Sequence, residues 1–402
     1  MSALSFLAGV RPTAAFPTVP ATAGAASARV PGDLAQLLAS LEGTPALLDK
    51  AKKLLYNTIR LCGNCKKPNA FTLPVCNACG EDISRTPLST STNVFSAFAI
   101  SLEKSGFPLT ISIRYQDDKI MVIDDLLALS PLHFNVLPTR MFIPDWRYLL
   151  KKPAEGYSLI ESMLFRCRAT AQAQFLDNQA WRSKLVRVPE ASIRGFHPPV
   201  FDAASFMCAG FNYPPSQNQL HLQFISPVLL PFQYYLFKKG VHFTEGRFFP
   251  VQYVLTCLQL AAHVKPFPPE LLALLDTDAS LPIERVIQYF TDAHHLIYKT
   301  YLDDFTMEFD RRYRLYQRWE EADFDGVARD TPSLSGSSTS ALEPFFFPGG
   351  GETAASDVNV MSMVAGDKLA LQNYGRPYHP ETRKPQGTYY SYPAAIADIE
   401  IW

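Results

Sequence analysis

The chain has 402 residues, 47% of them hydrophobic, and its 37 basic side chains almost balance 38 acidic ones, for a net charge of −1. That is enough apolar material for one large core or two modest ones. The near-zero balance, with no strongly basic segment, removes the electrostatic case for broad binding to nucleic acid or to an anionic membrane surface. No apolar run reaches the roughly 20 residues that a membrane-spanning helix needs.

Residues 1–32 contain no acid, carry Arg11 and Arg29, and are rich in Ala, Ser, Thr and Pro. This suits an organelle transit segment or a disordered tail, since the prolines oppose a long amphipathic helix. The expected setting is intracellular, and cytoplasmic unless that segment directs import. From 33 to 61 the leucine spacing predicts helices, the second opening at Thr44-Pro45. Residues 62–85 hold two C-x2-C pairs, Cys62/Cys65 and Cys76/Cys79, with ten residues between them. Each pair suits a tight knuckle, and four thiolates make a closed tetrahedral zinc site. Gly80 fits the left-handed turn after the second pair. A closed site leaves no open coordination position, so its role is structural, and an intracellular chain favours metal over disulfides. Cys167, Cys208 and Cys257 sit in apolar sequence and read as buried free thiols. Lys66-Lys67 is too thin a basic patch to argue for RNA. Thr86–Thr92 reads as a polar linker.

The next region, 93–246, opens with strands. Lys119–Asp125 is a buried strand ending in two carboxylates, and Ser130–Thr139 is the strand after it. A short helix begins near Pro144. A long one runs from Gly156 to about Val186, with Leu159, Met163, Leu164 and Cys167 on its apolar stripe. Residues 187–200, with three prolines, read as a loop. Then comes Asn218–Ile225, an apolar strand in which Gln219, His221 and Gln223 share one face. Buried polar groups cost free energy unless they are partnered. His221 on this strand is therefore either a satisfied core histidine or, as a neutral imidazole between two amides, a nucleophile toward phosphorus.

This order of elements resembles the histidine-triad (HIT) superfamily of nucleotide hydrolases and transferases, over roughly residues 93–235. In that family an Asp ends one strand, and eight residues later a His opens a strand of the form His-Phe-x-Val-x-Pro. Asp125 and His133 stand at that spacing, and Pro131–Pro138 matches the second element. An Asn-containing strand, a small-residue turn and the motif His-x-His-x-His follow in the family. Asn212, Ser216-Gln217 and Gln219-Leu220-His221-Leu222-Gln223 take those places. The resemblance implies a HIT-like antiparallel sheet and a nucleotidyl-His221 intermediate. It implies ribose contacts from Asp125, further nucleotide contacts from His133, Asn212 and Gln217, and α-phosphate contacts from Ser216 and nearby backbone N–H groups. Gln223 matches the transferase and phosphorylase branches, since an amide holds a phosphoryl oxygen but donates no proton as an acid. Gln219 departs from the family's first histidine, which leaves a non-catalytic nucleotide binder as an alternative. HIT domains often pair through their strands, which makes a homodimer possible.

Residues 247–329 read as a helical extension: Phe249–His263, a second helix from Pro268, and one long stretch from Ile283 to Glu321. Asp292, His294 and His295 fall on different helix faces and do not make a metal cluster. Arg311, Arg312, Arg314 and Arg318 alternate with acids, the pattern of a salt-bridged helix. Residues 330–402 read as mostly disordered linker and tail, with the end at Trp402 either packing back or meeting a partner. The sequence thus predicts an α+β protein with a zinc ribbon, a HIT-like domain and a helical C-terminal extension. The expected activity is nucleotidyl transfer or phosphorolysis on a nucleoside di- or polyphosphate or a nucleotide-sugar. Hydrolysis of such a substrate, or a scaffold role, is the alternative.

Overall fold

A computed structural model describes residues 34–76, 81–100, 113–125, 128–185, 202–276, 281–316 and 396–402. Helices α1 (Leu34–Ser40) and α2 (Pro45–Leu55) come first, and Pro45 sits in the opening turn of α2, where its missing N–H costs nothing. The chain then turns abruptly into strand β1 (Tyr56–Leu61), where a continued helix was expected. β1 pairs antiparallel with β2 (Pro68–Ala70) and with β3 (Leu88–Thr92), the stretch expected as a linker. Both departures have one cause. Thr58, Ile59, Thr90 and Thr92 are β-branched, and their preference for a pleated surface shows once a partner strand is present.

After α3 (Val94–Ala99) come β4 (Ile113–Gln116), β5 (Ile120–Asp124), β6 (His133–Pro138) and β7 (Met141–Phe142). A 3-10 turn at Trp146–Lys151 leads into α4 (Pro153–Ala171), and a π-helical turn at Gln172–Leu176 separates it from α5 (Gln179–Leu185). Then follow α6 (Ala203–Phe206), β8 (Cys208–Asn212), β9 (Leu222–Ile225), α7 (Pro231–Lys238) and β10 (Phe248–Pro250). Helices α8 (Val251–His263), α9 (Pro269–Ala273), α10 (Ile283–His294) and α11 (Tyr298–Tyr316) precede a last short strand, β11 (Glu400–Ile401). The expected single helix from Ile283 is two, because His295 adopts the left-handed conformation at φ 53° and caps α10.

The fold is α+β. Its main sheet has six antiparallel strands in the order β10-β8-β9-β6-β5-β4. The edge strand β10 thus comes from within the stretch expected to be all helix. One sheet face carries Val122, Phe134, Val136, Leu222 and Phe224 into the main core, against Ile160, Met163 and Cys167 of α4. Fully burying each large apolar side chain contributes about 1.5–3 kcal/mol. Asp124, on this same face, makes a two-pronged ion pair with Arg114 of β4, Nε to Oδ1 at 3.0 Å and an Nη to Oδ2 at 2.8 Å. The tail packs back: β11 pairs parallel with β7, and Trp402 joins the main core. Cys167, Cys208 and Cys257 are buried free thiols, and burial pushes Cys208 up to about 11. Along α11 the arginines pair as expected, Arg311 and Arg312 with Glu308 and Arg314 with Asp310, while Arg318 lies outside the described residues. No helix among the described residues is long and apolar enough to cross a membrane. The expectations for 1–32, 187–200 and most of 330–402 fall outside the described residues.

Candidate functional site

Strand alternation sends neighbouring residues to opposite faces. The face of the main sheet away from α4 therefore receives His133 and Asn135 from β6, with Gln223 of β9 directly opposite Asn135. Gly210 of β8 stands opposite Gln223 on the other side. A Cβ at Gly210 would run into the Phe248 ring and the Phe249 carbonyl, so only glycine lets β10 pair this closely beside β8.

The polar groups form one directed chain. Leu129 N–H donates to His133 Nδ1 at 3.0 Å, which puts the ring proton on Nε2. His133 Nε2 donates to Gln223 Oε1. Gln223 Nε2 donates to Asn135 Oδ1 at 2.9 Å, and Asn135 Nδ2 donates to Asp125 Oδ2 at 2.9 Å. Asp125 and His133 are also 3.6 Å apart. The two neighbouring carboxylates thus divide by face: Asp124 holds the core ion pair, and Asp125 ends the polar chain. Asn135 was not anticipated, although its alternation with His133 in the sequence was the available signal.

His221 lies just before β9 and is 4% exposed. Its Nδ1 bonds to the backbone carbonyl of Gln219 at 2.8 Å, so Nδ1 carries the proton and Nε2 the lone pair. Nε2 has no hydrogen-bond partner among the described residues. Burial pushes the imidazole's pKa below its ordinary value, the Gln219 bond and the Asp125 carboxylate oppose that shift, and His133 adds to it. The ring is therefore neutral at pH 7. Phe95 of α3 meets it edge-on, with centroids 4.9 Å apart, and α3 covers this part of the sheet through Val94 and Phe95.

Gln219 does not lie beside His221 as a second open amide. Its Nε2 donates to the Met141 carbonyl at 2.9 Å and more weakly to Pro138 O at 3.4 Å, which anchors it to the β6–β7 turn. Asn212, at the end of β8, and Ser216 are exposed. Gln217 Oε1 accepts from Val94 N–H at 2.8 Å and from Asn57 Nδ2 at 3.1 Å. Ser216 lines a cleft of about 690 Å³ between the β1–β3 sheet and the body, with Tyr56, Asn57, Tyr148, Tyr213 and Trp402; His221, Asp125 and His133 do not line it. The structure thus brings His221, Gln223, His133 and Asp125 together, while Ser216 faces the separate cleft and the Gln217 side chain is bonded to Val94 and Asn57. His242, within reach of the His133 field, is pushed down to about 4, chiefly by burial.

At the far end of β1, the sulfurs of Cys62, Cys65 and Cys76 lie within 4.8 Å of one another, a group that could hold a metal ion. Cys65 and Cys76 Sγ are 3.6 Å apart, and Asn69 Nδ2 points at Cys76 Sγ from 3.5 Å. Arg60 ties the surrounding loop together through the carbonyls of Phe71, Ser84 and Thr86. Cys79 and Gly80 lie outside the described residues. Compared with known proteins, the chain matches no family model and no curated protein.

Proposed function

We propose that this protein is a nucleotidyltransferase or phosphorylase acting on a nucleoside di- or polyphosphate or a nucleotide-sugar through a covalent nucleotidyl-His221 intermediate. The observation that carries the reading is the state of His221: neutral, with Nδ1–H committed to the Gln219 carbonyl and the Nε2 lone pair unengaged. Nε2 attacks the α-phosphorus, the P–O bond to the leaving phosphate breaks, and its electron pair leaves on that oxygen. The positive charge formed on the ring is stabilised at Nδ1–H by the Gln219 carbonyl. A phosphate oxygen of the acceptor then attacks the same phosphorus and releases the imidazole. Gln223 Oε1 accepts from His133 and one Nε2 hydrogen goes to Asn135, which leaves the second amide hydrogen for a phosphoryl oxygen. Asp125 supplies acceptor oxygens for a ribose diol. The order of these elements supports a HIT-like domain.

Cys62, Cys65, Cys76 and Cys79 fit a structural zinc, since the three described sulfurs already converge and all four are thiols. In stoichiometric metal analysis one zinc per chain is expected, and a zinc-free protein that still folds would remove this part of the reading.

The main test is labelling with ATP or a UDP-sugar carrying radioactive α-phosphorus. The wild type is expected to form an acid-labile protein adduct, and His221→Ala none. Release of the label that depends on added orthophosphate marks a phosphorylase, and release by water alone marks a hydrolase. A second reading, nucleotide binding without turnover, is favoured by the burial of His221 and by the anchoring of Gln219 on backbone carbonyls. Nucleotide-dependent thermal stabilisation with no label would establish it.

A further inference from the structure

The region before the main sheet sends two buried amides across to the turn that precedes His221. Asn57 of β1 is 3% exposed and Asn93, at the start of α3, is fully buried. Asn57 Oδ1 accepts the backbone N–H of Asn218 at 2.8 Å, and Asn93 Nδ2 donates to the backbone carbonyl of the same residue at 3.1 Å. Both polar groups of one peptide residue, itself exposed, are therefore taken up by asparagines that lie more than a hundred positions away in sequence. Asn57 Nδ2 also reaches Gln217 Oε1. Burying an amide costs free energy that its bonds only offset. An exposed turn in contact with water needs no such partners, so their placement has another use.

That use lies one residue further on. Gln219 N–H bonds back to the Gln217 carbonyl at 2.7 Å, and the Gln219 carbonyl is the acceptor for His221 Nδ1–H. Residues 217 and 218 are clamped on one side and Leu220 N–H donates to the Ile143 carbonyl on the other, so the peptide that carries the Gln219 carbonyl is held from both ends, and with it the tautomer of the imidazole. We infer that Asn57, with Asn93, is a positioning residue that holds His221 as the Nδ1–H tautomer through the Gln217–Gln219 turn. The inference rests on the nucleophilic reading of His221 only for its kinetic consequence, since the tautomer exists whatever the ring does. If the carbonyl swings away, the proton distributes over both ring nitrogens, and the molecules protonated at Nε2 have no lone pair for phosphorus.

The test is a long-range proton–nitrogen NMR spectrum of the histidine rings in the full chain, alongside labelling with α-phosphorus-radiolabelled ATP and a UDP-sugar. Wild-type His221 should show one tautomer, protonated at Nδ1, and His133 the opposite one, protonated at Nε2. In Asn57→Ala, His221 should populate both tautomers while His133, held by Leu129 N–H away from this turn, stays unchanged. The labelling rate constant should fall about tenfold with little change in the nucleotide concentration that half-saturates it. Asn57→Asp, which keeps an acceptor for Asn218 N–H, should retain the wild-type His221 tautomer. If Asn57→Ala does not fold, Gln217→Ala releases the same turn from its other side and should give the same spectrum. A His221 ring that keeps its tautomer in the folded variants overturns the inference, as does a shift shared equally by His133. If the tautomer shifts as described but the wild type labels with neither probe, the positioning role stands and the nucleophile falls.

Discussion

Toward α4, the main sheet presents Val122, Phe134, Val136, Leu222 and Phe224, all buried in one continuous apolar core. The other face carries a small apolar cluster of Ile113, Met121, Ile123 and Leu137 and, beside it, His133, Asn135 and Gln223, equally buried but joined head to tail by hydrogen bonds. The same strands thus serve two physical regimes. On the first face, burial itself stabilises in proportion to area, and any well-shaped apolar side chain suffices. On the second, each bond roughly offsets the desolvation of its own partners, so the network adds little net stability and instead fixes directions. What distinguishes the polar face is therefore orientation: its amides are held pointing one way, and His221 keeps its Nε2 lone pair unengaged among the described residues.

If that contrast is right, substitutions on the two faces should fail differently. The largest effect is expected at His221. His221→Ala should lower nucleotide labelling and turnover by more than about a thousandfold while nucleotide binding persists, at a stability cost of about 1–3 kcal/mol from the stranded Gln219 carbonyl. Retained turnover would return this face to a purely structural role. On the apolar face, Phe134→Ala should cost about 3–5 kcal/mol of stability in urea unfolding, because its ring packs on Phe175 and Phe224 and leaves a cavity. Gln223→Ala should cost less, about 1–3 kcal/mol, since it strands His133 Nε2–H and Asn135 Oδ1 in a buried setting. A double substitution with Asn135→Ala would then be less than additive if the chain acts as a unit.

The smallest of these effects is a pH dependence. His242 is held near 4 in the folded protein against an ordinary value of 6.5. Between those values the unfolded chain binds the extra proton, so stability is complete above about pH 6.5 and is lost as pH falls toward 4. His221, also lowered by burial, acts in the same direction. Urea midpoints measured from pH 7 down to 4.5 should decline, and His242→Gln should flatten that decline. A midpoint that rises on acidification would contradict the placement of both rings.

The sequence made the β5–β6 pair legible because its signals are local: a buried run ending at Asp124-Asp125 and an alternating strand opening at His133. The convergence of Cys62, Cys65 and Cys76 was legible for the same reason. β1 and β3 were not, since Leu54-Leu55-Tyr56 continues a helical stripe and only the pairing of Thr58 with Thr90 declares a strand. The break at His295 carries no glycine or proline to announce it. At the site, His221 stood out because polar residues interrupt an apolar run. Its surroundings did not, because they are set by distant partners: Gln223 by His133, and Gln217 and Asn218 by Asn57. A side-chain amide in a sequence does not reveal which way it will face.

Gly210 turns one packing detail into a search rule. Its missing side chain is the space that the Phe248 ring occupies. The two positions can therefore change only together: a larger residue at 210 demands a smaller one at 248, or the loss of the edge strand. In a collection of diverged sequences, a Gly-Phe-Asn strand end followed some 36 positions later by Phe-Phe-Pro marks chains that close the sheet in this way. Such a paired signature, set by packing and not by overall similarity, offers a way to search for related chains without relying on the histidine motif at all.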